Sequence, residues 1–257
     1  MKRLFKILKS SILTATMLFS TFAFSNENDK TRIIILPEVK GNLKAGKITY
    51  SFQLSDSKTQ KAIKDADLKE THTKLMHMIV YDASLKEFNH VHPEFVDNVW
   101  VTELNFQKNG IYFIWVQGKL NDGSDFSIYT KTEIVSGEPA NPVSPVGDVR
   151  QGEDNLTVVS LAKTKVRAGK MTMLNYAVTR RDGKEPVLSP YLGAMAHVIA
   201  VAPNGKELIH VHPMESDKSN TGMIHATFPT QGDYRLWIQI VDRGELKTIP
   251  LAVTVLK

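Results

Sequence analysis

The sequence predicts an all-β fold of two tandem immunoglobulin-like β-sandwich domains. Its apolar residues lie in short runs rich in β-branched side chains, without helical spacing, and much of the chain occurs twice. We expect seven short strands in each copy. They cover residues 31–36, 47–54, 76–81, 88–91, 99–106, 110–117 and 126–135 in the first copy, and 156–161, 170–178, 196–202, 207–211, 223–228, 233–241 and 246–256 in the second.

The repeat rests on three pairs of similar segments, which share glycine, histidine, tyrosine and tryptophan positions. The offset between the copies stays between 120 and 123 residues, so the length changes fall in loops. In the last pair, Tyr112 and Tyr234 follow a glycine by two residues, which is typical of a tyrosine corner. The pairs are 43–49 with 166–172, 89–93 with 209–213, and 110–117 with 232–239.

Residues 1–25 have the features of a secretory signal peptide: basic residues, then an apolar run, then small residues. The run is too short to span a bilayer. We therefore expect a periplasmic or secreted protein with no membrane span in its mature form. The chain has no cysteine, so we expect neither disulfides nor a thiol-linked lipid anchor.

Removal of this segment changes the charge balance. The full sequence has 32 Lys and Arg against 27 Asp and Glu, but residues 1–25 contain four of the bases and no acid. The mature chain therefore has 28 basic and 27 acidic residues. This near-neutrality argues against nucleic acid as a partner.

A proline-rich segment separates the two copies. Residues 137–148 contain three prolines, which disfavour helix and central strand and predict an extended linker. The predicted domains are residues 26–136 and 149–257. Within the first, the polar stretch 55–74 predicts a long loop with a helical turn, and its counterpart 180–193 is shorter.

Each copy has one histidine on a predicted strand and two more in a His-Val-His-Pro strand end. Turn residues at 82–85 and 202–205 predict one hairpin in each copy. In each hairpin the histidine of the first strand lies opposite the first histidine of the His-Val-His-Pro strand end. The third histidine lies two residues further on, and therefore on the same face, so three imidazoles could converge on one ion. The predicted pairs are His77 with His90 and His197 with His210, followed by His92 and His212.

Three imidazoles with an open fourth position suit copper or zinc. In an exported chain without thiolates copper is the favoured ion, and methionine could add a soft ligand. Met76 and Met78 flank His77, however, and should point to the opposite face, into the core. The remaining candidates for a soft ligand are Met195 and Met214.

These features resemble secreted bacterial β-sandwich domains of the YtkA-like type, which occur in heavy-metal and copper contexts. The resemblance rests on the His-bearing strand, the His-Val-His-Pro strand end and a Gly-x-Tyr-x-x-Trp-x-Gln strand, and it covers each copy nearly whole. It implies a metal-associated role in the periplasm or outside the cell. By this resemblance, the metal-associated residues of the chain are His77, His90 and His92 in the first copy and His197, His210 and His212 in the second.

The functional hypothesis is a periplasmic or secreted protein that sequesters or delivers copper. Its expected partners are the metal ion and another exported metal-handling protein. The alternative is a tandem immunoglobulin-like interaction module whose histidines are structural. We expect no enzyme, because the sequence has no Ser-His-Asp order, phosphate-binding loop or zinc-protease motif. His72 and His225 have no counterpart in the other copy, and we expect them in a loop and on a surface strand.

Overall fold

The computed structural model describes residues 25–26, 32–38, 41–211, 213–215 and 220–257. The predicted signal peptide, apart from Ser25, lies outside the described residues, and so does His212. Within the described ranges, no helix has the length and apolar character that crossing a bilayer requires.

The chain begins, within the described residues, with a short strand β1 (Ser25–Asn26). The first domain then forms two sheets. Its elements are β2 (Ile33–Pro37), β3 (Leu43–Lys44), β4 (Gly46–Asp56), β5 (Lys61–Ile63), the 3-10 helix η1 (Asp65–Asp67), β6 (Leu68–Lys69), β7 (Met76–Asp82), β8 (Phe88–Val91), β9 (Glu94–Val96), β10 (Val99–Phe106), β11 (Gly110–Leu120) and β12 (Asp125–Val135).

One sheet of this domain has the order β2-β4-β10-β9, with β5 paired to β4. The other has the order β3-β12-β11-β7-β8, with β6 paired to β11. The two sheets enclose a core of aromatic and aliphatic side chains that includes Phe52, Trp100 and Phe106. We call the sheet that contains β7 the inner sheet of the first domain and the sheet that contains β4 its outer sheet.

The second domain repeats this arrangement. Its outer sheet has the order β13-β14-β16-β21-β20, and its inner sheet has the order β1-β19-β18-β22-β23-β15, with β17 paired to β22. Its strands are β13 (Gln151–Asp154), β14 (Thr157–Leu161), β15 (Val166–Arg167), β16 (Met171–Arg180), β17 (Leu188–Ser189), β18 (His197–Val201), β19 (Glu207–Val211), β20 (Met214–Glu215), β21 (Thr221–Thr227), β22 (Gly232–Asp242) and β23 (Glu245–Leu256). The all-β tandem sandwich that the sequence predicts is confirmed.

Burial differs between the outer and inner sheets. Along β16 and β21 buried residues alternate with more exposed ones, as expected where one sheet face meets the core and the other meets solvent. In contrast, every residue of β7 and β18 is buried. Strands buried on both faces must be covered on the side that faces away from their own core.

The two inner sheets cover each other. Between them lies a separate apolar cluster that draws residues from both domains: Ile79, Tyr81, Leu85, Trp115, Ile199, Val201, Leu208 and Trp237. The rings of Tyr81 and Trp237 stack with centroids 6.0 Å apart. The hydroxyl of Tyr81 donates to the backbone oxygen of Gly205 at 2.8 Å and accepts from Trp115 Nε1 at 2.7 Å. The two β-sandwiches therefore pack face to face through their inner sheets, and a third apolar core lies between the domains.

Both histidine hairpins have a different register from the one that the turn residues predict. Ile79 pairs with His90, and Ile199 pairs with His210, so each partner is shifted by two residues. The loops are longer than a two-residue turn because the strands close at Asp82 with Glu87 and at Ala202 with Glu207. Each loop contains a residue with positive φ, Leu85 at 58° and Gly205 at 69°. An even shift leaves the strand histidines on their predicted faces: His77 and His90 in the first domain, and His197 and His210 in the second.

The predicted tyrosine corner is present in both copies. The hydroxyl of Tyr112 lies 3.2 Å from the backbone oxygen of Lys108, and the hydroxyl of Tyr234 accepts from the backbone N–H of Thr230 at 3.2 Å. The stretch 55–74 is more ordered than the predicted long loop, because β5 and β6 flank the helical turn η1.

Candidate metal centre

In each domain, one histidine and one glutamine lie side by side on the surface of the inner sheet that faces the other domain. His77 on β7 pairs with Gln117 on β11, and His197 on β18 pairs with Gln239 on β22. These side chains point away from their own domain cores and toward the other domain. The sequence therefore places one imidazole and one carboxamide at the same point of each half of the interface.

Three histidines of the first domain converge there. His77, His90 and His92 each offer one nitrogen, and these nitrogens lie within 4.8 Å of one another. The ring centroids of His77 are 5.3 Å from His90 and 5.0 Å from His92. This is the group that the sequence predicts for the first copy, and the hairpin and the strand end bring it together.

Hydrogen bonds fix where the protons lie on two of these rings. Nε2 of His77 lies 3.0 Å from the backbone oxygen of Thr71, which can only accept, so Nε2 carries the hydrogen. Nδ1 of His90 lies 2.7 Å from Oε1 of Gln239, so with this orientation of the carboxamide the hydrogen of His90 is on Nδ1. In neutral rings the remaining nitrogens, Nδ1 of His77 and Nε2 of His90, then both hold lone pairs, and they face each other at 3.1 Å. In that arrangement a proton or a metal ion must lie between the two nitrogens.

The carboxamide contacts are reciprocal across the interface. Oε1 of Gln239 accepts from His90, and Oε1 of Gln117 lies 3.2 Å from Nδ1 of His210. Each amide nitrogen donates to a hydroxyl on its own sheet, from Gln239 to Thr248 at 3.2 Å and from Gln117 to Ser127 at 3.1 Å. Each domain thus orients one histidine of the other domain.

The second domain adds His197 and His210 to the same cluster. The ring of His210 lies 5.4 Å from His77 and 5.4 Å from His90, and the ring of His197 lies 6.2 Å from His90. Nε2 of His197 lies 2.8 Å from the backbone oxygen of Tyr191, which repeats the contact between His77 and Thr71. The histidines of the two copies therefore meet at one interdomain centre, where the sequence suggested two separate hairpin sites.

His72 is a member of this cluster that the sequence reasoning missed. It lies in the predicted loop, in a turn closed by Thr71 and Lys74, with φ of 52°. Its ring is 6.1 Å from His77 and 6.0 Å from His197. Because Leu192 holds the corresponding turn position in the second copy, the repeat pattern contained no signal for His72.

Burial favours the neutral form of four of these histidines by lowering the pKa of each. Burial lowers the pKa of His77 to about 4, of His92 to about 3 and of His197 to about 4, and the neighbouring histidines lower each further. The pKa of His90 lies well below its usual range for the same reasons, with the burial of the ring first. Neutral imidazoles are the form that binds a metal ion.

A cleft of about 250 Å³ leads from the surface to His92. Exposed Glu70 and Glu94 lie at its walls, with Lys74 and the buried Trp100. Nε2 of His92 is buried and has no hydrogen-bond partner within the part of the chain that the structure describes. His92 is therefore the member of the group that an entering ligand reaches first.

The methionines proposed as soft ligands do not all lie at this centre. Met76 and Met78 are fully buried in the first-domain core, on the opposite face of β7 from His77. Met214 lies on β20, at the edge of the outer sheet of the second domain. Among the histidine, aspartate and glutamate side chains of the described residues, the group close enough to share an ion consists of imidazoles.

Two segments, residues 36–132 and 151–257, match one family, described as Domain of unknown function (DUF8832). Together they make up most of the chain. The protein belongs to the DUF8832 family. The two matched segments coincide with the two sandwiches, so each sandwich is one DUF8832 domain, and the histidine centre lies where the two domains of this family meet.

Several solved structures align with the chain over most of its length. One contains the fibronectin(III)-like modules of CbhA from Clostridium thermocellum, at 10% identity, 87% coverage of this chain, 94% of that chain and a TM-score of 0.23. A titin fragment aligns at 11% identity over 84% and 95% of the two chains, with a TM-score of 0.22. A marsupial T cell receptor aligns at 11% identity over 87% and 73%, with a TM-score of 0.26. A comparison with curated proteins gives no match.

Proposed function

We propose that this protein binds one metal ion, copper in the first place, at the interdomain histidine centre and that it sequesters the ion or hands it on. The observation that carries the proposal is the approach of Nδ1 of His77 to Nε2 of His90, 3.1 Å apart, with His92 beside them. Two nitrogens bound to one tetrahedral ion at 2.0 to 2.1 Å lie about 3.3 Å apart. The observed spacing therefore needs little adjustment.

The surroundings of the rings support the same proposal. A ligating histidine commonly donates its other ring N–H to a carbonyl or carboxylate oxygen, which fixes the tautomer and the direction of the free nitrogen. His77 donates to Thr71 and His90 donates to Gln239 in this way. Both contacts keep the second nitrogen available.

Copper and zinc both accept three imidazoles, and the ligand set alone does not separate them. We propose copper because imidazole binds copper in either oxidation state. The YtkA-like resemblance of the sequence points the same way. Zinc binding in its place is an outcome that the titration below distinguishes.

We further propose that the protein works in the periplasm or outside the cell, on the signal-peptide features of residues 1–25. Its partner would then be another exported metal-handling protein. Its activity would be the binding and release of the ion, without turnover of a substrate. Cell fractionation and N-terminal sequencing of the mature protein test this, with a new N-terminus at Asn26 as the expected result.

The direct test is titration of the mature chain with Cu(II) and with Zn(II) in competition with a chelator of known affinity. We expect one tight site, and Cu(II) electron paramagnetic resonance with coupling to several imidazole nitrogens. His90→Ala and His92→Ala should each lower the affinity at least about tenfold. The control is Gln53→Ala, which removes an exposed polar side chain from the outer sheet of the first domain. Equal affinity in wild type, His90→Ala and His92→Ala would refute the proposal.

The interaction-module alternative predicts a different pattern. If the buried histidines only hold the domains together, metal leaves the melting temperature of the wild type unchanged, and His90→Ala melts earlier even in chelator. If the centre binds an ion, a metal concentration of one hundred times the wild-type Kd adds about 2.7 kcal/mol to the unfolding free energy of the wild type. In His90→Ala, whose affinity is at least tenfold lower, the same concentration adds about 1.4 kcal/mol or less.

A further inference from the structure

The outer sheet of the second domain has a concentration of methionine on its exposed face. On β16 and β21 Met173 pairs directly with His225, and on β20 and β21 Met214 pairs with Met223. Directly opposed residues of antiparallel strands point to the same side of a sheet. We call the following group the methionine patch: Met171, Met173, Met214, Met223 and His225.

The patch faces away from the core. Thr172 and Leu174, which alternate with its members on β16, are buried, whereas Met171 is 68% exposed and Met173 is 58% exposed. Nine methionines occur in the sequence, two of them within residues 1–25, and four of the other seven lie in this patch. Burial in the core therefore does not explain why these side chains are methionine.

The fold does not require methionine here either. In the first domain the outer sheet presents Thr49 and Glu103 as an exposed cross-strand pair, joined by a hydrogen bond of 2.7 Å. Beside it, β9 begins with exposed Glu94, and its counterpart β20 begins with Met214. The same sheet in the two copies is thus polar in the first domain and rich in thioether in the second.

His225 gives the patch a second type of ligand. Nε2 of this ring is shielded from solvent and has no hydrogen-bond partner among the residues that the structure describes. A directly opposed pair has Cβ atoms about 5 Å apart, and diagonal neighbours lie within about 8 Å, so the thioethers of Met173 and Met223 can both reach the imidazole. Because the methionine side chain has three rotatable bonds, its sulfur can approach the imidazole with little strain.

Thioether and imidazole together select soft cations. Thioether sulfur favours Cu(I) over hard ions such as magnesium or calcium, and imidazole accepts copper as well. We propose that the methionine patch is a surface site for Cu(I), held by Met173, Met223 and His225, with Met171 and Met214 at its margin. This site is distinct from the interdomain centre in position and in ligand type, and it goes beyond the function proposed above.

Nuclear magnetic resonance with Ag(I), a redox-inert stand-in for Cu(I), tests the proposal on the mature chain labelled at the methionine methyl groups. At one equivalent of Ag(I) we expect the methyl signals of Met173 and Met223 to shift, while those of the buried Met76 and Met78 stay in place. Patch methyl signals that do not move at one equivalent would overturn the proposal.

The variant for this test is Met173→Leu with Met223→Leu, which conserves side-chain volume and leaves the sheet intact. We expect it to bind Ag(I) at least tenfold more weakly than the wild type, and the control Met78→Leu, at a buried core methionine of the first domain, to bind as the wild type does. Wild-type affinity in the double variant contradicts the proposal. If Ag(I) shifts only histidine signals of the interdomain centre, the patch is refuted and the proposed function stands. If instead Ag(I) binds at the patch while the chain binds neither Cu(II) nor Zn(II), the methionine patch is supported and the proposed function is refuted.

Discussion

Nδ1 of His90 in the first domain lies 2.7 Å from Oε1 of Gln239 in the second domain. The contact crosses the interface and turns Nε2 of His90 toward His77. A carboxamide rotated by half a turn would instead donate to His90 and move its proton to Nε2, where it could bond to His77. The acceptor at position 239 therefore decides whether two free nitrogens face each other.

Substitution at Gln239 should change metal affinity through this proton. Gln239→Leu removes the acceptor, and we expect a loss of about 10-fold to 100-fold in metal affinity, the usual effect of losing such a partner. Gln239→Glu offers only acceptor oxygens and should keep the affinity at pH 8. Competition titration measures both. Gln117→Leu is the matched control, because it acts on His210 and should weaken binding less.

Lys74 should weaken cation binding at the same centre. Its charge is among the smaller causes that lower the pKa of His77 and of His92, after burial. A positive charge that disfavours imidazolium also disfavours a metal ion. We expect Lys74→Gln to raise metal affinity roughly threefold at low salt and less at high salt. Lys69→Gln on β6 serves as the control, and an effect independent of salt would contradict this explanation.

The metal-free protein should lose stability in mild acid. Burial holds the pKa of His77 and of His197 at about 4, below the unfolded value of 6.5. The unfolded chain therefore binds more protons between these values, so stability is complete above about pH 6.5 and falls as the pH drops toward 4. Each such histidine contributes up to about 1.4 kcal/mol per pH unit.

Urea unfolding in chelator between pH 7.5 and 4.5 measures this slope. The variant His72→Leu places at this turn the residue that the second domain has at Leu192, and it removes a half-buried ring whose pKa is lowered by partial burial. We expect a shallower dependence on pH in this variant. An identical slope in both proteins would mean that folding leaves the protonation of His72 unchanged.

Gly205 should be sensitive to a single added methyl group. It has φ of +69°, and a Cβ there would lie 2.9 Å from Cε2 of Phe113 in the other domain. Gly183 has φ of +71°, and an added Cβ there would meet nothing within 4 Å, so it isolates the backbone effect. We expect Gly183→Ala to cost about 1 kcal/mol in unfolding free energy. Gly205→Ala should cost about 1 to 3 kcal/mol more because it crowds the interface.

Strand positions and the faces of the strand histidines His77, His90, His197 and His210 were predictable because both follow from alternation along β-strands. Hairpin register was not, since turn residues at 82–85 also fit the longer loop that Leu85 closes with positive φ. The shift by two residues kept the face and changed the neighbour, so Ile79 and not His77 lies opposite His90.

The meeting of the two domains could not be derived from local pattern. One signal was nevertheless present in the sequence of β7. Ile79 and Tyr81 are large apolar residues on the same face as His77, where a solvated strand would carry polar side chains. Such a face must be covered, but the sequence alone does not say by what. His72 was missed because it lies in a turn and has no counterpart in the repeat.

The third core between the domains has a consequence for the single domain. A lone sandwich would expose Ile79, Tyr81 and Trp115 to water as one continuous apolar surface, and large surfaces of this kind lead to association. The equivalent surface of a second molecule is the natural cover, by the same reciprocal contacts that Gln117 and Gln239 make here. A single-domain relative with these residues is therefore expected to be a homodimer, and in the present chain covalent linkage has made the association independent of protein concentration.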